Sequence, residues 1–254
     1  MKDAIPLPAF RDNYLWVWHA DGAAAVVDPG DAAVVRKWLD ETGHRLTDIL
    51  ITHWHPDHIG GVAELVSATG ARVLGPAAEQ DRMPPLDTAL ADGDTIEVLG
   101  TRFEVLGVPG HTLGHIAYAA DDCVFCGDTL FHIGCGRLFE GTPEQMHESL
   151  GRLAALPDDT TVYCTHEYTL ANLAFALRVE PDNADLERID AAARAARDAD
   201  RPTLPTTIGE QKRANPFLRA DDPAVAEAVS RATGERVQPG VPTFAALRAL
   251  KDRG

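Results

Sequence analysis

The densest chemistry in the chain is Thr52-His53-Trp54-His55-Pro56-Asp57-His58, three imidazoles and a carboxylate within six residues. Clustered rings lose solvation together and contribute little to a loop, so a structural role explains the run poorly. A metal ion explains it well, because imidazole and carboxylate suit zinc and neighbouring first-row metals. In an extended segment His53 and His55 point the same way. Pro56 then turns the chain and lets Asp57 and His58 face elsewhere. Three further donors each follow an apolar, strand-like run: His111 after Val108-Pro109-Gly110, Asp128 after Cys126-Gly127, and His166 after Cys164-Thr165. Five His and two Asp exceed one tetrahedral ion. The set divides naturally into His53, His55 and His111 on one ion, Asp57, His58 and His166 on a second, and Asp128 between them. Two ions ~3.5–4 Å apart share a hydroxide formed near neutral pH, which is hydrolytic chemistry.

These donors need elements to hold them. Asp21-Gly22 separates two apolar runs as a hairpin turn. Val34, Val35, Trp38 and Leu39 lie on one helical face. Leu46–Thr52 is a short buried strand, and residues 62–68 form a helix behind Gly60-Gly61. Hairpins are expected around Gly100 and around Asp121-Asp122. Thr142 and Pro143 open a helix as N-cap and first residue, and residues 161–164 form one more strand. Beyond Tyr168 the pattern is helical apart from the Pro-rich link 201–205. The expected fold class is α/β (α+β): a layered body over residues 1–167 and a C-terminal helical subdomain over 168–254.

The 254 residues carry 23 Lys and Arg against 39 Asp and Glu, a net charge of −16. That balance excludes a protein held to nucleic acid by phosphate neutralisation. Residues 201–254 run the other way, with nine basic and six acidic side chains. A basic tail on an acidic body suits a small anionic substrate. Four cysteines make no disulfide framework at this length. Cys123 and Cys126 sit three apart on a strand, so their side chains face opposite ways and only pack. No apolar run reaches the ~20 residues of a membrane span. The stretch Met1–Pro6 has no apolar segment of a secretory signal, and we expect a cytoplasmic protein.

Four segments together make a resemblance specific: Thr-His-x-His-x-Asp-His at 52–58, Pro-Gly-His-Thr-x-Gly-His at 109–115, Gly-Asp-Thr at 127–129, and the late His166. This arrangement resembles the metallo-β-lactamase superfamily, which implies an αββα sandwich with a two-metal site on its rim. The stretch 127–142, Thr165-His-Glu-Tyr-Thr169 and Asn215-Pro-Phe-Leu-Arg219 are similar to segments of one branch, glyoxalase II. The resemblance spans the whole chain. It implies hydrolysis of S-2-hydroxyacylglutathione thioesters such as S-D-lactoylglutathione by a metal-bridging hydroxide, as the second step of methylglyoxal detoxification. Asp57 and Asp128 would orient that hydroxide and take its proton. Two divalent ions are implied, zinc first, with iron or manganese also admitted by the ligands. Arg137, Tyr168 and the pair Arg248 and Lys251 match the family's glutathione contacts. Phe139 stands where some members have Tyr. The expected partner is the small thioester alone, for a monomer with no nucleic acid or membrane. His115 is expected beside the ligands rather than among them, while His132 has no assigned role.

Overall fold

The computed structural model describes residues 4–253, so Met1–Asp3 of the stretch read for a signal lie outside the described residues. Its contacts form two compact units. One comprises the chain up to Gly107, Leu113–Gly127 and Tyr163–His166; the other comprises Val108–Thr112, Asp128–Val162 and the chain from Glu167 on.

In the first unit, β1 (Ile5–Ala9), β2 (Asn13–Ala20), β3 (Ala23–Val27), β4 (Arg45–Leu50), β5 (Arg72–Pro76) and β6 (Thr88–Leu90) form one sheet in sequential order. The first three strands are antiparallel and the rest parallel. Ala20 pairs with Ala23, and Asp21 and Gly22 both have positive φ, 50° and 74°. That is the two-residue turn whose twist matches a hairpin. Between β3 and β4 runs α1 (Ala32–Thr42), capped by the Asp31 side chain and stopped by Gly43 at φ 71°. The short α2 (Pro56–Ile59) and α3 (Val62–Thr69) follow β4.

Strand periodicity divides β2 between two cores. Leu15 and Val17 join Val26, Val35, Ile49, Val62 and Leu65 under α1 and α3. Trp16 and Trp18 face the other way, onto a second sheet. The Trp16 ring lies 4.7 Å from Tyr163, and Trp18 lies 5.8 Å from Phe103 and 6.0 Å from Phe125. That second sheet runs from β7 (Thr95–Val98) through β8 (Thr101–Gly107), β9 (Ile116–Ala119) and β10 (Cys123–Gly127). Cys123 and Cys126 are both buried with free thiols, and burial pushes the Cys123 thiol up to about 12.

The second unit opens, after β10, with the hairpin β11 (Leu130–Phe131) and β12 (Gly134–Cys135). Then α4 (Pro143–Ala154) begins on a capping box between Thr142 and Gln145, as its Thr-Pro start requires. The order of the second sheet continues from β10 to β13 (Thr161–Cys164) and β14 (Thr206–Thr207). The helices α5 (Thr169–Val179), α6 (Ala184–Asp198), α7 (Ile208–Ala214), α8 (Pro223–Thr233) and α9 (Val241–Asp252) complete the unit. Ile133, Leu173, Ala176, Leu186, Ile189 and Ala214 form a core among them.

Candidate metal centre and substrate contacts

The segment after β4 is fixed from behind by Asp28, at the end of β3. Its carboxylate accepts Thr52 N and Thr52 Oγ1, both at 2.7 Å. The same Oδ2 lies 3.0 Å from His58 Nδ1. An imidazole whose Nδ1 faces a carboxylate is oriented with its Nε2 toward an ion. His166 repeats the device, with Nδ1 2.8 Å from Asp12 Oδ1. The two Nε2 atoms converge on Asp57 Oδ2, each at 3.5 Å. Two donors ~2.1 Å from one ion in tetrahedral array are ~3.4 Å apart, so the spacing fits a shared ion. Asn13 Nδ2 donates to the same Asp57 oxygen at 3.0 Å and fixes its rotamer. His53 Nδ1 is 3.1 Å from Thr52 Oγ1, and its Nε2 is 2.9 Å from His55 Nδ1. The pair therefore offers one Nε2 and one Nδ1. His115 stacks on His53, with ring centroids 4.6 Å apart at 20°.

The second unit holds the other two predicted ligands together. His111 Nε2 lies 3.4 Å from Asp128 Oδ2, while its Nδ1 is 2.8 Å from the Arg137 carbonyl. A side chain at Gly136 would strike the Asp128 carbonyl oxygen, so only glycine lets the chain return this closely. The hairpin between Asp128 and Arg137 is clamped by three buried amides. Gln211 Oε1 accepts Ile133 N at 2.8 Å, Asn172 Nδ2 donates to the His132 carbonyl at 2.9 Å, and Asn215 Nδ2 donates to the Gly134 carbonyl at 2.9 Å. His132 Nε2 lies 3.2 Å from Glu210 Oε2, and that ring, with Thr206 and Arg188 donating to the same group, holds the Glu210 carboxyl down at about 2.

Three of the four expected substrate contacts share a surface of the second unit. Arg248 is buried rather than solvated. Its Nη1 donates to the Cys135 carbonyl at 3.1 Å and its Nη2 to Asp252 at 3.0 Å. Arg137 reaches the same Asp252 oxygen at 3.9 Å. Lys251 lies over the Phe175 ring at 5.2 Å, and burial, with Arg248 adding to it, pushes its pKa down to about 8. Tyr168 is more exposed and stands edge-on to Phe131, 5.4 Å between centroids. Phe139 is exposed and lies edge-on to His111 at 5.2 Å.

Sequence reasoning misses Asp12, Asp28 and Asp252. Asp28 had a weak signal, an acid directly after an apolar strand, whereas Asp12 and Asp252 are single acids in an acidic chain. Every predicted metal donor is an imidazole or carboxylate, and four of the rings have their second nitrogen or a neighbouring oxygen engaged as described. This donor set fits divalent metal ions.

Residues 8–166 match the model of the metallo-beta-lactamase superfamily, and residues 167–254 match that of the hydroxyacylglutathione hydrolase C-terminus. A hydroxyacylglutathione hydrolase of Pseudomonas aeruginosa (strain LESB58) is 56% identical over 254 residues, covering 97% of both chains. One of Ectopseudomonas mendocina (strain ymp) is 56% identical over 252 residues, with the same coverage. Among solved structures, TTHA1623 in a di-iron-bound form is similar at a TM-score of 0.63 and 26% identity, over 84% of this chain and all of that one. Among the described residues, no helix is long and apolar enough to cross a membrane. The chain belongs to the hydroxyacylglutathione hydrolase family of the metallo-β-lactamase superfamily.

Proposed function

We propose that the protein hydrolyses S-2-hydroxyacylglutathione thioesters, S-D-lactoylglutathione among them, to a 2-hydroxy acid and glutathione, the second step of methylglyoxal detoxification. The observation that carries this reading is the convergence of His58 Nε2 and His166 Nε2 on Asp57 Oδ2. It stands in a chain 56% identical over its length to a hydroxyacylglutathione hydrolase. Residues 1–167 supply the chemistry, and 168–254 together with Arg137 the grip on glutathione. His53, His55, Asp57, His58, His111, Asp128 and His166 would hold two divalent ions, with zinc the first choice. What bound ions supply is a water made nucleophilic near neutral pH and positive charge facing the thioester carbonyl oxygen.

The chain's own residues do the rest. Asp57 and Asp128 orient the attacking water, and one of these carboxylates takes its proton. Asp12, Asp28 and Thr52 keep the imidazole rings in the orientation and tautomer that present the metal-facing nitrogen. Arg137, Arg248 and Lys251 bind the carboxylates of the glutathione peptide, and Tyr168 contacts it from the hairpin side. The C–O bond forms first as the carbonyl π pair moves onto oxygen, and the tetrahedral oxyanion then collapses with cleavage of the C–S bond. The sulfur leaves as a thiolate of parent pKa about 8.5, so the reaction needs no dedicated acid.

Turnover of S-D-lactoylglutathione between pH 6 and 10 tests the reading. Lys251 binds a carboxylate only while protonated, and its pKa in the free protein lies at about 8. Below that value KM is expected to stay level. Above it KM should rise, approaching tenfold per pH unit if binding requires the charge. Lys251→Met should raise KM at pH 7 and abolish the rise above 8. No turnover of the thioester by metal-loaded protein would refute the assignment.

A further inference from the structure

We infer that Glu79 is a positioning residue for the metal centre, tying the His53–His55 segment to the segment that ends in His115. The inference rests on the metal reading proposed above. Glu79 belongs to the 3-10 helix Ala77–Arg82, away from every segment whose motif carries a ligand. Its side chain is only 4% exposed. A buried carboxylate is costly unless hydrogen bonds replace its water. Here both oxygens accept backbone amides: Oε2 takes Trp54 N at 2.8 Å, and Oε1 takes Gly114 N at 3.0 Å.

The choice of those amides is the argument. Trp54 lies between His53 and His55, whose nitrogens are 2.9 Å apart. Gly114 immediately precedes His115, whose ring stacks on His53. One carboxylate thus sets the spacing of two chain segments whose imidazoles pack face to face. The same helix also grips the Trp54 side chain, with the Arg82 guanidinium 3.4 Å from the centre of the indole. The contact at Gly114 is equally close. A Cβ there would come within 2.5 Å of Glu79 Cγ and 3.0 Å of the Ala78 Cβ. This accounts for the second glycine of Pro109-Gly-His-Thr-x-Gly-His115, which a ligand list leaves unexplained.

A mere fold staple and a positioning residue differ in what they change. Glu79→Gln keeps the volume and one acceptor but turns an NH2 group toward an amide N–H. If Glu79 positions the histidines, zinc should leave the folded variant for a colorimetric chelator about 10–100 times faster than it leaves the wild type, the range seen when an outer partner of a metal ligand is lost. kcat should fall in the same range while KM stays within twofold. The urea midpoint of the metal-free protein should fall as well, because one buried amide N–H loses its acceptor, so zinc release from the still-folded variant is the readout that separates positioning from stapling. Gly114→Ala reaches the same contact from the other side and should shift zinc release in the same direction. Release at the wild-type rate in a metal-loaded Glu79→Gln protein overturns the inference and leaves the metal reading intact. So does a drop in the metal-free urea midpoint with release unchanged. A wild-type protein that takes up no zinc overturns both.

Discussion

Asp57→Ala is expected to leave a folded protein that binds one divalent ion per chain instead of two and turns over S-D-lactoylglutathione about 10³-fold more slowly. Asp57 Oδ2 is the atom on which His58 Nε2 and His166 Nε2 converge at 3.5 Å. Removing it takes a charge and a donor from a three-residue set. What remains for that ion is His58, His166 and the shared Asp128, one anionic donor fewer. Bound metal contributes several kcal/mol to stabilising charge in a hydrolytic transition state, and 1.36 kcal/mol is a decade of rate; hence the size of the loss. The fold should tolerate the change, because the Asp57 side chain is 40% exposed and water can replace it for Asn13. Asp57→Asn preserves the shape and separates charge from volume. It should retain more metal than the alanine variant and still lose most of the rate. Metal analysis beside initial rates checks both variants, and two retained ions with activity within tenfold of wild type would contradict the assignment of Asp57.

The second large effect is on stability. Asp28 is 2% exposed, accepts both the Thr52 amide and the Thr52 hydroxyl, and lies 3.0 Å from His58 Nδ1. Asp28→Ala strands both Thr52 donors and removes the carboxylate beside His58. Each stranded buried group costs about 1–3 kcal/mol, so a loss of about 4 kcal/mol is expected. At about 2–4 °C per kcal/mol for a chain of this length, Tm should fall by roughly 10 °C. Asp28 also sits at φ 51°, a backbone region that aspartate tolerates and alanine resists. Asp28→Asn keeps that tolerance and one acceptor, and should lose about half as much. The comparison belongs on metal-free protein, since a bound ion would add its own stabilisation. A loss under 1 kcal/mol would mean that Thr52 and His58 are held by something else.

The candidate ligands stand out in the sequence because residues that fold poorly together occur together: three histidines in six positions have few uses but a metal. Asp21-Gly22 and the Thr142-Pro143 start were legible because each solves a local backbone problem with its own side chain or lack of one. β1 was not, because Pro6 and Pro8 mark a loop unless the strand is known to lie at a sheet edge, as it does. The two-residue strands β11, β12 and β14 are too short for any period to show. The partners Asp12 and Asp28 act across 154 and 30 residues of sequence and carry no motif.

The basic excess of the tail, residues 201–254, does not by itself mark a substrate surface. Most of its charge is spent locally. Arg219 pairs with Glu180 at 2.8 Å and with Asp222, Lys212 with Asp158, and Arg231 with Glu227. The spacing of Arg248 and Lys251 on one helix face held more information than the charge total. Even so, the burial of Arg248 on the Cys135 carbonyl was invisible, because it depends on a hairpin 113 residues away.

The most direct test is to measure metal content and S-D-lactoylglutathione hydrolysis on the same purified sample, before chelation, after it, and after a divalent ion is restored. The account predicts about two ions per chain, loss of hydrolysis as they are withdrawn, and its return with the ion. Hydrolysis that survives complete removal of metal would contradict it, and so would a full load of two ions with the thioester left uncut.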